Sequence, residues 1–382
     1  MAAEGGRAEI VGRRPTAGQS RGPARRRGGT TGEVIVRYKL LGRSGLRVSE
    51  LALGTMTFGE EWGWGAPKEE CRKIYDAFVA AGGNFIDTAN RYTEGTSESF
   101  VGDFVSSDRG RIVLATKYTL FSRRGDPNAS GSHRKNLAQS LEASLRRLRT
   151  DYVDLLWVHA WDRLTPTEEV MRALDDVVRA GKALYVGVSD TPAWVVTRAN
   201  TLAELRGWSA FIGLQVEYSL IQRDVERELL PMARSLGLGV TVWGALAGGA
   251  LTGKYRPDRT AEGGPARMAG NATARRLSDR NLAIVEVVKQ VAAEAGRSPA
   301  QVALSWVRQQ PGGIIPIAGA RRVEQLRDVL GSVDLRLTEG QLAKLEAATA
   351  IELGFPHDFL NQETIRDLVY GDLRGQIDDP RL

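Results

Sequence analysis

An acid, an amine and an imidazole close three successive apolar runs of this chain. Asp87 follows Asn84-Phe85-Ile86, Lys117 follows Ile112-Val113-Leu114-Ala115-Thr116, and His159 follows Leu155-Leu156-Trp157-Val158. Tyr92 lies five residues beyond Asp87, past the end of its run. A carboxylate at the tip of a buried strand is costly unless a cation or hydrogen-bond donors meet it. Lys117 occupies the equivalent place on the next run and could be that cation. A phenol titrates near pH ~10 and is a poor acid at neutral pH. An ammonium within hydrogen-bond reach favours the phenolate and makes Tyr92 a usable general acid. Asp87 would hold Lys117 charged and oriented, and His159 would donate to a carbonyl oxygen gaining negative charge. Such a set protonates an oxyanion as it forms, which is what hydride addition to a carbonyl requires. No side chain supplies a hydride, so a cofactor must.

Taken singly, these residues have plainer readings. Asp87 with Lys117 could be a structural buried pair, and His159 a satisfied core histidine. Their repetition at three strand tips is what favours chemistry. The chain has three histidines, His133, His159 and His357, too scattered for a three-histidine zinc site. No metal is expected.

The elements that must position these groups follow a rhythm of short apolar runs and helical patterns from Val36 onward. Two runs flanking Gly42-Arg43-Ser44-Gly45 read as a hairpin. Strands are then expected at about 51–54, 84–88, 111–117, 152–159, 183–188, 211–216, 240–243 and 314–317. Helices are expected near 67–81, 97–106, 135–149, 192–205, 224–236, 278–295, 299–309, 322–331 and 338–349, with another announced by Thr165-Pro166-Thr167-Glu168. A glycine-rich connection runs over roughly 247–275. Eight strand–helix pairs with nearly all-apolar strands predict a parallel sheet buried on both faces. They close most naturally into a (β/α)8 TIM barrel with an N-terminal β-hairpin at its bottom and additional C-terminal helices. A doubly wound open sheet would want a glycine-rich phosphate loop after its first strand, and Gly54-Thr55-Met56-Thr57-Phe58-Gly59 is not one. Active sites of such barrels lie at the C-terminal ends of the strands. Asp87, Lys117, His159, Ser189, Asp190, Gln215 and Trp243 all fall there.

Composition narrows the function classes. Hydrophobic residues make up 42% and charged residues 26% of 382, which is ordinary for a globular enzyme. No run approaches the ~18 apolar residues of a membrane span. Cys71 is the single cysteine, which excludes an intrachain disulfide framework and suits a reducing cytoplasm. Of the formal charge of +6, a net +4 lies in residues 1–36, where seven arginines face three glutamates. Residues 1–35 are expected to be a disordered Arg/Gly-rich leader without the apolar segment of a secretory signal, and residues 36–382 the folded domain. The charge therefore does not argue for a nucleic-acid partner, and none is expected, nor a membrane.

The motifs resemble those of a known family. Phe85-Ile86-Asp87-Thr88-Ala89 with Tyr92, Thr116-Lys117-Tyr118 and Leu156-Trp157-Val158-His159 are similar to the catalytic tetrad motifs of the aldo-keto reductase superfamily. Tyr185-Val186-Gly187-Val188-Ser189, Leu214-Gln215-Val216-Glu217-Tyr218, Leu251-Thr252-Gly253-Lys254-Tyr255 and Ile315-Pro316-Ile317-Ala318-Gly319-Ala320-Arg321 resemble further motifs, in the same order. The resemblance spans about residues 36–350 and is closest to the bacterial branch related to potassium-channel β-subunits. It implies NADPH-dependent reduction of a small-molecule carbonyl, with Tyr92 as acid assisted by Asp87, Lys117 and His159. It also implies that Ser189, Asp190 and Gln215 hold the nicotinamide carboxamide and that Trp243 stacks on the ring. Leu246, Gly248, Leu251 and Lys254 would line the pyrophosphate path. Arg321 would meet the 2′-phosphate, with Gln325 and Asp328 by the adenosine and Gly54, Thr55 and Gly319 completing the cofactor set. Asp190 stands where the family often has Asn, Gly244-Ala245 where Ser-Pro is common, and Val329 where Asn frequently contacts adenine. Phe58, Trp62, Trp64, Tyr118 and Trp161 are expected to wall a substrate pocket, and Phe355-Pro356-His357-Asp358-Phe359 to cover the site or dock on the barrel. A second function class is an NADPH-binding regulatory module with little turnover, as channel β-subunits are.

Overall fold

A computed structural model of the chain describes residues 36–255 and 276–377. The leader expected over 1–35, most of the glycine-rich connection (256–275) and residues 378–382 lie outside the described residues. Strands β1 (Tyr38–Leu40) and β2 (Arg47–Ser49) pair antiparallel as the hairpin, with Lys39 opposite Val48. The next eight strands are β3 (Ala52–Gly54), β4 (Phe85–Asp87), β5 (Val113–Tyr118), β6 (Val153–Val158), β7 (Ala183–Ser189), β8 (Phe211–Glu217), β9 (Gly239–Trp243) and β10 (Ile315–Gly319). They have almost no polar face to offer water, so they bury both faces. They close into an eight-stranded parallel barrel in chain order, with β10 pairing back onto β3. This is the (β/α)8 architecture expected.

Helices α1 (Lys68–Ala80), α2 (Thr96–Val105), α3 (Arg134–Leu148), α4 (Thr167–Arg179), α5 (Ala193–Arg206) and α6 (Leu229–Leu236) alternate with β3 to β9. Then come α7 (Asp279–Ala295), α8 (Pro299–Arg308), and, after β10, α9 (Val323–Leu330) and α10 (Glu339–Thr349). The helix expected at 224–236 is instead a 3-10 turn (Asp224–Glu226) followed by α6. Pro231 explains the break, because proline is tolerated only in a helix's first turn. The start signal Thr165-Pro166 is also used differently. The Thr165 hydroxyl donates to Asp162 Oδ2 at 2.6 Å, and α4 begins after Pro166 without a side-chain cap.

Two apolar layers result. The larger packs the outer strand faces against the helices. The smaller fills the barrel with Ala52, Phe85, Val113, Ala115, Leu155, Trp157 and Ile315, and is closed by Val48 of β2 and by Leu41, which follows β1. Trp157 is fully buried. A Cβ at Gly187 would lie 2.4 Å from its ring and one at Gly213 2.9 Å, so these two glycines make the room it occupies. In register, Asp87 lies beside Ala115 and Lys117 beside Trp157. Lys117 therefore stands two residues above Asp87's neighbour on the same inner face, the stagger that a closed barrel requires.

Candidate active site

Asp87 ends β4 and is 2% exposed, and Lys117 on β5 is 1% exposed. Neither charge survives such burial alone. The Lys117 ammonium donates to Asp87 Oδ2, to the Thr88 carbonyl at 2.9 Å and to the Tyr92 hydroxyl at 3.1 Å. Its three protons thus have three acceptors, one of them the phenol. Burial works against its charge, but Asp87 and Tyr92 outweigh that and raise its pKa. The other Asp87 oxygen accepts from Gln215 Nε2 at 3.0 Å. Nothing in the sequence signalled this bond, which spans 128 residues.

His159 follows β6 and meets the Tyr92 ring edge-on, with centroids 5.8 Å apart at 82°. Burial, reinforced by the Lys117 charge, drives its pKa well below 6.5, so the ring is neutral at neutral pH. Its Nδ1 is buried without a hydrogen-bond partner. A layer of short polar contacts backs the group. Thr55 Oγ1 donates to the Asp87 carbonyl at 3.2 Å, and Ser97 Oγ lies 2.8 Å from Thr55 Oγ1 and 3.0 Å from Thr88 Oγ1. Beside it, Glu98 is wholly buried, paired with Arg147 at 2.6 Å and accepting from Thr116 at 2.5 Å.

A cavity of about 80 Å³ opens at this cluster, lined by Gly54, Met56, Asp87, Tyr92, Gln215 and Trp243 among others. It shares Thr57, Gly244, Ile317 and Gly319 with a groove of about 300 Å³ that runs past Leu246, Gly248, Lys254, Arg321, Gln325 and Asp328. The cavity and the groove adjoin along these residues and together make a slot. Along its wall Gly248 and Gly249 take φ of 66° and 98°, a left-handed turn that glycine adopts without a Cβ penalty. Arg321 makes no ion pair among the described residues. Its backbone amide donates to Gln325 Oε1 at 2.9 Å, and Asp328 accepts from Ser298 at 3.0 Å and Gln301 at 3.1 Å. An unpaired guanidinium in a groove with a glycine wall fits a phosphorylated ligand.

Not every expected residue lies on this slot. Thr55, Ser189 and Leu251 are buried and line neither cavity. Leu251 packs into the core, and Thr55 spends its hydroxyl on the Asp87 carbonyl and Ser97. Asp190 takes a φ of 45° at the open rim and accepts from Trp243 Nε1 at 3.2 Å. The pocket wall is corrected more sharply. Phe58 is wholly buried, edge-on to Phe104 at 6.2 Å, and Tyr118 is 1% exposed with its hydroxyl donating to the Ser132 carbonyl. Both belong to the outer core. Trp62 and Trp64 pair with centroids 5.5 Å apart, and Trp62 Nε1 donates to Glu94 at 3.0 Å. Trp161 is half-buried against the core. Phe355 is 84% exposed and Phe359 43%, so this pair is packed into no core. Met56, Thr57, Gly249, Ser298 and Ile317 line the slot without having been anticipated. Ser298 alone carried a signal, as the cap that accepts from the Gln301 amide at the start of α8.

The slot thus joins a hydroxyl donor backed by an ammonium to a cradle for a phosphate-bearing molecule, which is the outfit of a cofactor-dependent barrel oxidoreductase. A profile of the aldo/keto reductase family matches residues 50–350. Norsolorinic acid reductase stcV of Emericella nidulans is 41% identical over 328 residues, covering 83% of this chain and 82% of the relative. The aryl-alcohol dehydrogenase [NADP(+)] of Phanerodontia chrysosporium is 37% identical, covering 82% and 86%. An aldo-keto reductase of Aspergillus calidoustus, ausK, is 35% identical over 85% of each chain. The chain belongs to the aldo/keto reductase family and is an oxidoreductase of the carbonyl–alcohol type. Among the described residues no helix is long and apolar enough to cross a membrane, and no cluster of metal-ligating side chains occurs.

Proposed function

We infer that this chain reduces an aldehyde or ketone, of an aromatic class, to the alcohol with NADPH as cofactor. The observation that carries the reading is the Lys117 ammonium bound at once to the Asp87 carboxylate and, at 3.1 Å, to the Tyr92 hydroxyl. When bound, the dihydronicotinamide supplies the hydride. Tyr92 gives its hydroxyl proton to the carbonyl oxygen as that oxygen gains charge. Lys117 stabilises the phenolate left behind, and Asp87 keeps the lysine charged and aimed. Neutral His159 serves as a hydrogen-bond donor to the same oxygen rather than as a competing acid. Gln215 holds Asp87 from the opposite side.

For the cofactor, Trp243 would stack on the nicotinamide, with Asp190 and Gln215 about its carboxamide. The turn at Gly248 and Lys254 would hold the pyrophosphate, and Arg321 the 2′-phosphate. The NADP(+) in one relative's name agrees with that role for Arg321. The aromatic class is supported by the aryl-alcohol dehydrogenase relative. We place this chemistry in a catalytic domain of residues 36–382, in a reducing cytoplasm suited to the lone buried Cys71. The test is NADPH oxidation, followed by its absorbance, against aromatic aldehydes, aryl ketones, quinones and aliphatic carbonyls. Turnover concentrated on the aromatic members supports the reading; none on any carbonyl overturns it.

A further inference from the structure

Beyond the last barrel helix the chain builds an arm in which no side chain is fully buried. Helices α11 (His357–Leu360) and α12 (Glu363–Tyr370) and the 3-10 turn Gly371–Gln376 are ordered, yet no residue from Pro356 to Ile377 is buried. Eight of the fourteen exposed large hydrophobic side chains among the described residues fall here, from Phe355 to Ile377. Polar contacts hold the arm together and to the barrel. Glu363 pairs with Arg374, Arg366 donates to Asn361 at 2.6 Å, and His357 meets Glu228 at 3.1 Å. The Arg227 guanidinium grips the Glu352 carbonyl at 2.9 Å. On α12, Ile365, Leu368 and Val369 share one stripe, and Leu373 and Ile377 extend the apolar run past the helix.

A helix of eight residues is not stable alone in water, and ordering a segment needs burial in return. Among the described residues this copy half-buries Ile365 but leaves the other large apolar side chains of the arm exposed, so the rest of the burial comes from outside it. We propose that the arm is a homodimerisation surface that packs against the same arm of a second copy. The exposed fractions of its eight large apolar side chains, 43–84%, amount to roughly 700–1,000 Å². Even the half of it that one face can present is comparable with the largest apolar patch of an ordinary monomer and makes a substantial part of the roughly 800 Å² per partner of a stable interface. The charges favour self-association as well. Arg366 and Arg374 alternate with Asp358, Glu363, Asp367 and Asp372, so a two-fold arrangement sets basic groups of one copy beside acidic groups of the other. The same net negative balance disfavours an anionic membrane surface.

The test is the molar mass of the full chain by light scattering after size exclusion at micromolar concentration, for the wild type and for Leu368→Asp/Leu373→Asp. Twice the 41.6 kDa chain mass is expected for the wild type, and a monomer for the variant. The dimer dissociation constant should rise about 100-fold or more, with far-ultraviolet dichroism and NADPH affinity unchanged. As a second measurement, Leu373→Cys in a Cys71→Ser background should yield a disulfide-linked dimer on mild oxidation. A monomeric wild type overturns the proposal, including the case in which the arm caps its own barrel. A dimer that persists in the charged variant, or no cross-link in the cysteine variant, overturns it equally.

Discussion

Replacing Lys117 with methionine separates what the buried ion pair does for the fold from what it does for the chemistry. The lysine side chain is 0% exposed and Asp87's is 3%. Removing the ammonium leaves a buried carboxylate with Gln215 as its remaining side-chain partner, and also strips the Thr88 carbonyl and Tyr92 hydroxyl of a donor. Breaking a buried pair from one side costs about 3–5 kcal/mol, which for a barrel of this size is a fall of roughly 5–10 °C in Tm. Asp87→Asn should cost a similar amount by stranding the lysine. The double variant removes both charges, keeps an acceptor for Gln215, and should be more stable than Lys117→Met by about 2 kcal/mol. Activity should behave otherwise: each single variant and the double should lose about two to four decades in kcat. Equilibrium unfolding and NADPH oxidation on the same four proteins give both readouts. If Lys117→Met unfolds like the wild type, or the two single effects simply add, the coupling argued here is wrong.

Two further outcomes follow from the slot. Arg321→Ala should weaken NADPH binding about 10- to 100-fold, from the loss of charge-assisted hydrogen bonds, and leave NADH binding unchanged. Fluorescence titration with both cofactors checks this, and equal weakening of both would remove Arg321 from the 2′-phosphate. Crowding by surrounding protein atoms, despite the exposure of its rim position, lifts the Asp190 carboxyl to about 6 against the opposing hydrogen bond from Trp243. A raised acid favours the fold in its protonated form, so its contribution is full below the ordinary carboxylate range and fades as pH climbs through about 6. Across the same window it loses the proton it could donate to a carboxamide oxygen. From pH 5 to pH 7 NADPH affinity in the wild type should therefore fall severalfold relative to Asp190→Asn, the 2′-phosphate gaining its second charge near pH ~6 in both; parallel curves for both proteins would exclude Asp190 as the cause.

Strand tips were readable because an ionisable residue ending an apolar run is rare unless something meets it, and three runs in a row ended that way. Strand alternation was readable too, and it explains the correction at Tyr118. If Lys117 points into the barrel, its neighbour must point out toward the helices, and Tyr118 does so. The break before α6 was likewise implicit in Pro231. What could not be read is side-chain direction in loops and bonds between distant strands. Phe58 sits in a loop whose curl toward Phe104 depends on α2, and the Gln215–Asp87 bond depends on closure of the whole barrel. Met56, Thr57 and Ile317 line the slot only because β3 and β10 are neighbours across the closing seam.

The measurement that bears most directly on the account is single-turnover reduction of an aromatic carbonyl by the NADPH-loaded protein, wild type against Tyr92→Phe. The variant keeps the ring that meets His159 edge-on and lacks only the hydroxyl that Lys117 holds. The expected rate for the variant is about two to four decades lower, with NADPH binding and Tm near those of the wild type. Equal single-turnover rates in the two proteins would contradict it.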